Sequence, residues 1–206
     1  MSLKNCLALL FVLAFLSFLV QSDFGNVNVK SHTLYSSNNQ YVVYDLYKPS
    51  SASKENKAPF IVVVPGFQRS KEALSNIAIE LSRRGNVVAL IDPYAQGMSS
   101  SSLSRRAATT EGYGMFALID TVSKGNLFDF VDTDKMASTG HSMGGNAAIR
   151  GANYFGREAI RENKKSKLHS VYVSGYVLTL TEKVLEDVRS NVGVSYALYD
   201  EGAFRN

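Results

Sequence analysis

Cysteine is almost missing from this 206-residue chain: Cys6 is the only one, and it lies in an apolar N-terminal run. The folded domain therefore has no internal disulfide and must be held by its core. Histidine is nearly as scarce. His32, His141 and His169 are far apart in sequence, and no Cys/His cluster has metal-ligand spacing, so neither zinc nor any other metal or cofactor is expected. A strong charge imbalance is lacking too. Charged residues make up 19% of the chain, the net charge is +4, and 45% of residues are hydrophobic, which is ordinary globular composition. The one dense basic stretch, Arg161-Glu162-Asn163-Lys164-Lys165-Ser166-Lys167, reads as a solvated loop before a strand, and no nucleic-acid partner is expected. The length suits one domain with a real core and is short for two.

What is present begins with a long apolar run. Lys4 supplies a positive start, residues 6–20 are mostly Leu, Phe, Val and Ala, and Gln21-Ser22-Asp23 restores polarity. Residues 1–22 are therefore expected to be a cleaved signal peptide or a retained membrane anchor. The run is long for a signal core and slightly short for a span of about twenty residues, while Val20 and Ser22 suit the small-residue cleavage rule. In both cases the domain is expected outside the cytoplasm, because Lys4 sits on the retained side. From residue 23 onward one folded domain is expected.

Residues 23–49 alternate polar and apolar positions around Val27, Val29 and the run Tyr41-Val42-Val43-Tyr44-Asp45-Leu46-Tyr47, with Ser36-Ser37-Asn38-Asn39 between. Two β-rich runs joined by turn formers predict an N-terminal β-hairpin. Beyond a polar connector the pattern becomes strand, helix, strand, helix. Residues 60–64 and 87–91 are continuous β-branched and aliphatic runs, as in strands covered on both faces. Residues 70–84 place Ala73, Leu74, Ile77, Ala78 and Leu81 at helical spacing, closed by Gly85. Further helices are predicted over 113–122 and 144–155, and further strands over 135–139, 168–174 and 192–199. The fold class is thus α/β: a mostly parallel sheet with helices on both faces and an N-terminal β-hairpin. Sites in such sheets form beyond the carboxyl ends of the strands, where the loops at Pro65, Asp92 and Ser142 all fall.

The most informative stretch is Gly140-His141-Ser142-Met143-Gly144, which fits G-x-S-x-G between a short buried strand and a helix opening on small residues. A serine on so sharp a turn sits in strained backbone, and the residues two before and two after it must lack bulk where strand and helix converge. The unpartnered N–H groups of the following helix would favour negative charge beside it.

With Val64-Pro65-Gly66-Phe67, with the segment from Glu80 to Asp92, with Gly97-Met98-Ser99 and with the elbow, the chain resembles the α/β-hydrolase superfamily over residues 41–175. It also resembles membrane-attached bacterial members in which a hydrophobic N-terminus leads into a sequence like Ser22-Asp23-Phe24-Gly25. The resemblance implies a serine nucleophile, an acid and a histidine, in that chain order. It makes Ser142 the nucleophile and assigns the oxyanion hole to the N–H groups of Met143 and Phe67. Where many relatives have His-Gly this chain has Pro65-Gly66, a change that backbone donors tolerate.

The base has no evident place. No histidine follows His169, which precedes a strand at the far end of the sheet; His141 neighbours the nucleophile on a turn whose successive side chains point apart; and His32 lies in the hairpin, where a surface position is expected. Asp200, followed by Glu201 at the end of the 192–199 strand, is either the triad acid or a solvated turn acid. The superfamily core implies a further helix, strand and loop, so a C-terminally incomplete hydrolase domain is expected. The implied activity is cleavage of a carboxylic ester, thioester or small amide through a Ser142 acyl-enzyme, on a small-molecule acyl substrate. The alternative is a non-catalytic binding or interaction module on the same scaffold.

Overall fold

The computed structural model describes residues 1–36, 39–100, 110–176 and 181–197. A 19-residue helix, α1 (Leu3–Gln21), starts on Ser2, whose hydroxyl accepts from the Asn5 N–H, and none of its residues is buried. The expected hairpin follows as β1 (Val27–Tyr35) and β2 (Tyr41–Pro49), antiparallel, with Val27 opposite Pro49 and Tyr35 opposite Tyr41.

Five more strands complete a seven-stranded sheet: β3 (Ala58–Val64), β4 (Val87–Ile91), β5 (Val131–His141), β6 (Ser170–Ser174) and β7 (Asn191–Ser195), in the order β1-β2-β4-β3-β5-β6-β7. The pair β2/β4 is antiparallel, and every pair from β4 to β7 is parallel. The mostly parallel α/β fold is therefore as expected.

Alternation along β3 divides the core. Phe60, Val62 and Val64 face one side, where they join Ala89, Ile91 and Met136 under helices α3 (Met115–Ser123) and α4 (Met143–Glu162). Val63 faces the other side, with Val88 and Leu90 under α2 (Ser75–Arg83). Both faces of β4 and most of β3 are buried, which is why those segments read as unbroken apolar runs. Each such side chain removed from water stabilises the fold by about 1.5–3 kcal/mol.

Several boundaries differ from their expected positions, each for a tertiary reason. The helix expected over 70–84 begins as a 3-10 turn, Lys71–Leu74, because the Lys71 N–H is bonded to Asp92 Oδ1 at 2.7 Å and its ammonium to Asp45 at 3.2 Å. The helix expected from Tyr113 starts at Met115. Tyr113 and Gly114 hold φ of 55° and 98°, and the Tyr113 carbonyl accepts from the Tyr94 N–H. The helix after Ser142 runs on to Glu162, so Arg161 lies in its last turn, where a cation suits the helix dipole, rather than in a loop. The last strand ends at Ser195, short of the expected 199. A short helix, α5 (Glu182–Leu185), packs on α4.

Gly156 shows how tightly α4 meets the segment just after α5, because a Cβ there would overlap the carbonyl oxygen of Asp187. Gly→Ala inside a helix ordinarily stabilises by about 0.5–1 kcal/mol. Here Gly156→Ala is expected to reverse that sign and destabilise by about 1–3 kcal/mol, read from urea unfolding midpoints.

Candidate active site

Ser142 stands between β5 and α4 with φ 54° and ψ −116°, outside the regions that L-residues ordinarily occupy. Two bonds hold it there: its N–H donates to the Ser174 carbonyl at 2.8 Å, and its own carbonyl accepts from Asn146 at 3.0 Å. The convergence inferred from the motif is severe. A Cβ on Gly144 would overlap the Val64 carbonyl, and one on Gly140 would overlap both that oxygen and the Gly144 backbone. β3 and the start of α4 are therefore in backbone contact, which leaves the serine at the apex, half-buried and beyond the strand ends. Met143 opens α4, so its N–H belongs to the helix's first turn, whose donors have no intrahelical acceptor.

The loop after β3 lies against this apex. A Cβ on Gly66 would come within 3.5 Å of Ser142 Cβ and 3.4 Å of His141 Nδ1. Phe67, next in the chain, is 46% exposed and so presents apolar surface at the rim.

The loop after β4 locks the loop after β3 in place, and its side chains carry most of that work. Gln96 Nε2 donates to the carbonyls of Gly66 (3.1 Å) and Arg69 (3.0 Å), and Gln96 Oε1 accepts from the Gln68 N–H at 2.6 Å. Asp92 is 1% exposed, and its carboxylate accepts from the N–H groups of Lys71 (2.7 Å) and Met98 (3.0 Å). Burial works against the Lys71 ammonium, but Glu72 and Asp45 outweigh it and keep its pKa above the usual lysine value. Lys71 in turn, with Ser70, lowers the Glu72 carboxyl to about 2. Sequence reading put Asp92 and its loop at the rim but missed these two roles. The available signal was an acid ending an all-apolar strand; the partners lie 21 and 28 residues away.

The three histidines are scattered through the structure. The His141 ring lies by Gly66 and Gly175, its Nε2 being 3.0 Å from where a Gly175 Cβ would stand. His169 precedes β6 at the opposite end of the sheet, with Nδ1 3.2 Å from Ser170 Oγ. His32 is not on the open surface as expected: it is half-buried, stacked on Tyr44 at 5.4 Å with Phe128 at its edge. The sheet pairs aromatic surface there, which the hairpin alternation did not reveal. Asp200 and Glu201 lie outside the described residues. No group of three or more His, Cys, Asp or Glu side chains among the described residues could hold a metal ion. An apolar groove of about 650 Å³ lies over β3, β5, β6 and β7 beside α2 and is lined by His141 but not by Ser142.

A mostly parallel sheet with a strained serine between strand and helix, at the carboxyl edge of the sheet, defines an α/β hydrolase. The chain belongs to the PET hydrolase-like family, whose model matches residues 17–181. Solved structures agree on the fold. The esterase Est22 superposes with a TM-score of 0.59 at 13% identity, over 92% of this chain and 60% of its own. A hyperthermophilic esterase from the archaeon Pyrobaculum calidifontis gives 0.57 at 20% identity, over 81% and 50%. The α/β hydrolase GrgF from Penicillium sp. sh18 gives 0.57 at 16%, over 72% and 46%. The chain thus spans about half the length of these structures. No curated protein sequence matches it.

Two outcomes follow from the geometry. If positive φ at residue 142 carries strain, Ser142→Gly should be more stable than Ser142→Ala by about 1 kcal/mol, the reverse of the usual Gly/Ala order, in thermal unfolding. Asp92→Ala strands two N–H donors and should cost about 3 kcal/mol in urea unfolding.

Proposed function

We propose that this protein is a serine hydrolase acting on a carboxylic ester, thioester or small amide. Ser142 Oγ attacks the acyl carbon while its proton passes to a base, the bond to the leaving group breaks, and water then releases the acyl group from Ser142. The N–H groups of Met143 and Phe67 receive the negative charge that develops on the carbonyl oxygen. Asp200 is the proposed acid that orients the base. The observation that carries this proposal is Ser142 itself, held at φ 54° beyond the strand ends with the first turn of α4 behind it and the Gly66 backbone against its Cβ. Membership of a hydrolase family supports it. No cofactor enters the chemistry, and the substrate is a small acyl compound, with Phe67 and Met143 favouring an apolar acyl group. The domain works outside the cytoplasm, exported or anchored through residues 1–22.

One observation favours a second reading, a binding module on a hydrolase scaffold: His32 and His169 are remote from the rim, and the His141 ring is set by Gly66 and Gly175.

A fluorophosphonate probe separates the two. It is expected to label Ser142 selectively, with the adduct located by peptide mass spectrometry. Ester turnover by the protein is expected to fall by about 10³-fold or more in Ser142→Ala. Turnover untouched by that substitution sinks the hydrolase proposal, and tight binding of an ester analogue without turnover or labelling supports the second.

A further inference from the structure

α1 meets the domain at the end of the sheet opposite Ser142. β1 pairs antiparallel with β2, and β2 with β4, so β1 runs in the same direction as β3 and β4. Val27, at its start, therefore stands in the same tier as Ala58, Val87 and Val131, the first residues of β3, β4 and β5. Ser142 follows the last residue of β5, in the opposite tier. Seven residues of strand, the length of β3, separate the two tiers by about 20 Å.

The joint between α1 and β1 is fixed by a dense set of bonds. Ser22 is 8% exposed; its hydroxyl donates to the Phe18 carbonyl at 2.8 Å, and its carbonyl accepts from Val27 at 2.9 Å. Asp23, Phe24 and Gly25 follow one another at φ 49°, 55° and 87°, which turns the chain sharply from helix into sheet. Arg83, at the end of α2, clasps both sides of the turn: Nε pairs with Asp23 at 2.9 Å and Nη2 donates to the Val20 carbonyl at 3.3 Å.

What lies beyond the joint is apolar on every side. α1 buries none of its 19 residues and carries no acidic or basic group beyond Lys4, so it is unlike an amphipathic helix with one face for a groove and suits apolar surroundings on every side. At 1.5 Å per residue it is about 28 Å long, close to the ~30 Å of a bilayer's hydrocarbon. The connections at the same end of the sheet are polar and mixed in charge: exposed Lys54, Lys57 and Lys165 stand with Glu55, Asp129 and Asp134, while Arg83, Arg84 and Lys164 are paired with Asp23, Glu80 and Glu162, and such a surface can lie at the hydrated headgroup level.

We infer that α1 is a bilayer anchor that holds the starting end of the sheet against the lipid headgroups and turns the Ser142 rim toward water. The esters taken at that rim then come from the aqueous side and not from the acyl chains of the supporting bilayer. The substrate half of this inference rests on the Ser142 proposal; the orientation rests on topology alone.

The chain contains no tryptophan, so single reporters are clean. Phe24 is 71% exposed at the joint and Met98 is 71% exposed in the rim loop after β4. Full-length Phe24→Trp and Met98→Trp variants would be reconstituted in phosphatidylcholine–phosphatidylglycerol vesicles with and without bromine on the acyl chains. The Phe24→Trp reporter is expected to lose more than about half of its emission in the brominated vesicles, and the Met98→Trp reporter to keep its own. Equal quenching of both reporters, or quenching of neither, overturns the orientation. A chain with an inert Ser142 would still give the expected pair of intensities, so failure of the hydrolase proposal is read separately.

Discussion

The backbone contact between β3 and the start of α4 is the constraint on which the rest of this structure depends. Gly144 and Gly140 lie so close to the Val64 carbonyl that neither can carry a Cβ, and that approach is what forces residue 142 out to the apex at positive φ. The strain costs about 1–3 kcal/mol. It persists because what surrounds it is over-determined: β3 is flanked by β4 and β5 in parallel register, with Val64 opposite Gly140, and its side chains are buried in two separate cores. A serine in an ordinary helix start would lie lower, screened by its own turn; here the rigid sheet holds it up and keeps it there.

Around that apex the fold divides its labour between the two ends of the sheet. At the carboxyl end the loops are held by polar groups aimed at backbone. Asp92 and Gln96 tie the loop after β4 to the loop after β3, and Lys71 joins the same corner to Asp45 on β2. A buried carboxylate accepting two N–H groups costs desolvation, and its return is directional: it fixes loop positions that apolar packing would leave free to slide. At the opposite end the polar bonds hold the joint between α1 and β1. That end carries exposed charges of both signs, the Arg83 clasp and the exit of a mostly apolar helix. Both sets of contacts act through one continuous segment, the 3-10 turn from Lys71 beside the rim and α2, which ends at Arg83 beside the joint.

Membership of the PET hydrolase-like family and superposition on esterases at 13–20% identity agree with this geometry where they overlap. What the superposed structures share with the chain is the fold.

Much was legible in the sequence because it follows from local physics. Period-two alternation placed the hairpin, unbroken apolar runs placed β3 and β4, and G-x-S-x-G with small residues behind it placed the elbow, since steric exclusion at a sharp bend leaves its mark on neighbouring residues. By itself the sequence determined the α/β class and the candidate serine. Only the tertiary structure decided where α2 and α3 begin, that His32 is stacked on Tyr44, and that Asp92 and Gln96 brace the rim. In each case the deciding partner is remote in the chain: Asp92 for Lys71, Tyr94 for Tyr113, Tyr44 for His32, Gly66 for Gln96. A hydrogen bond or ring contact between distant segments has no periodicity to betray it, and it exists only once the sheet has brought the two segments together.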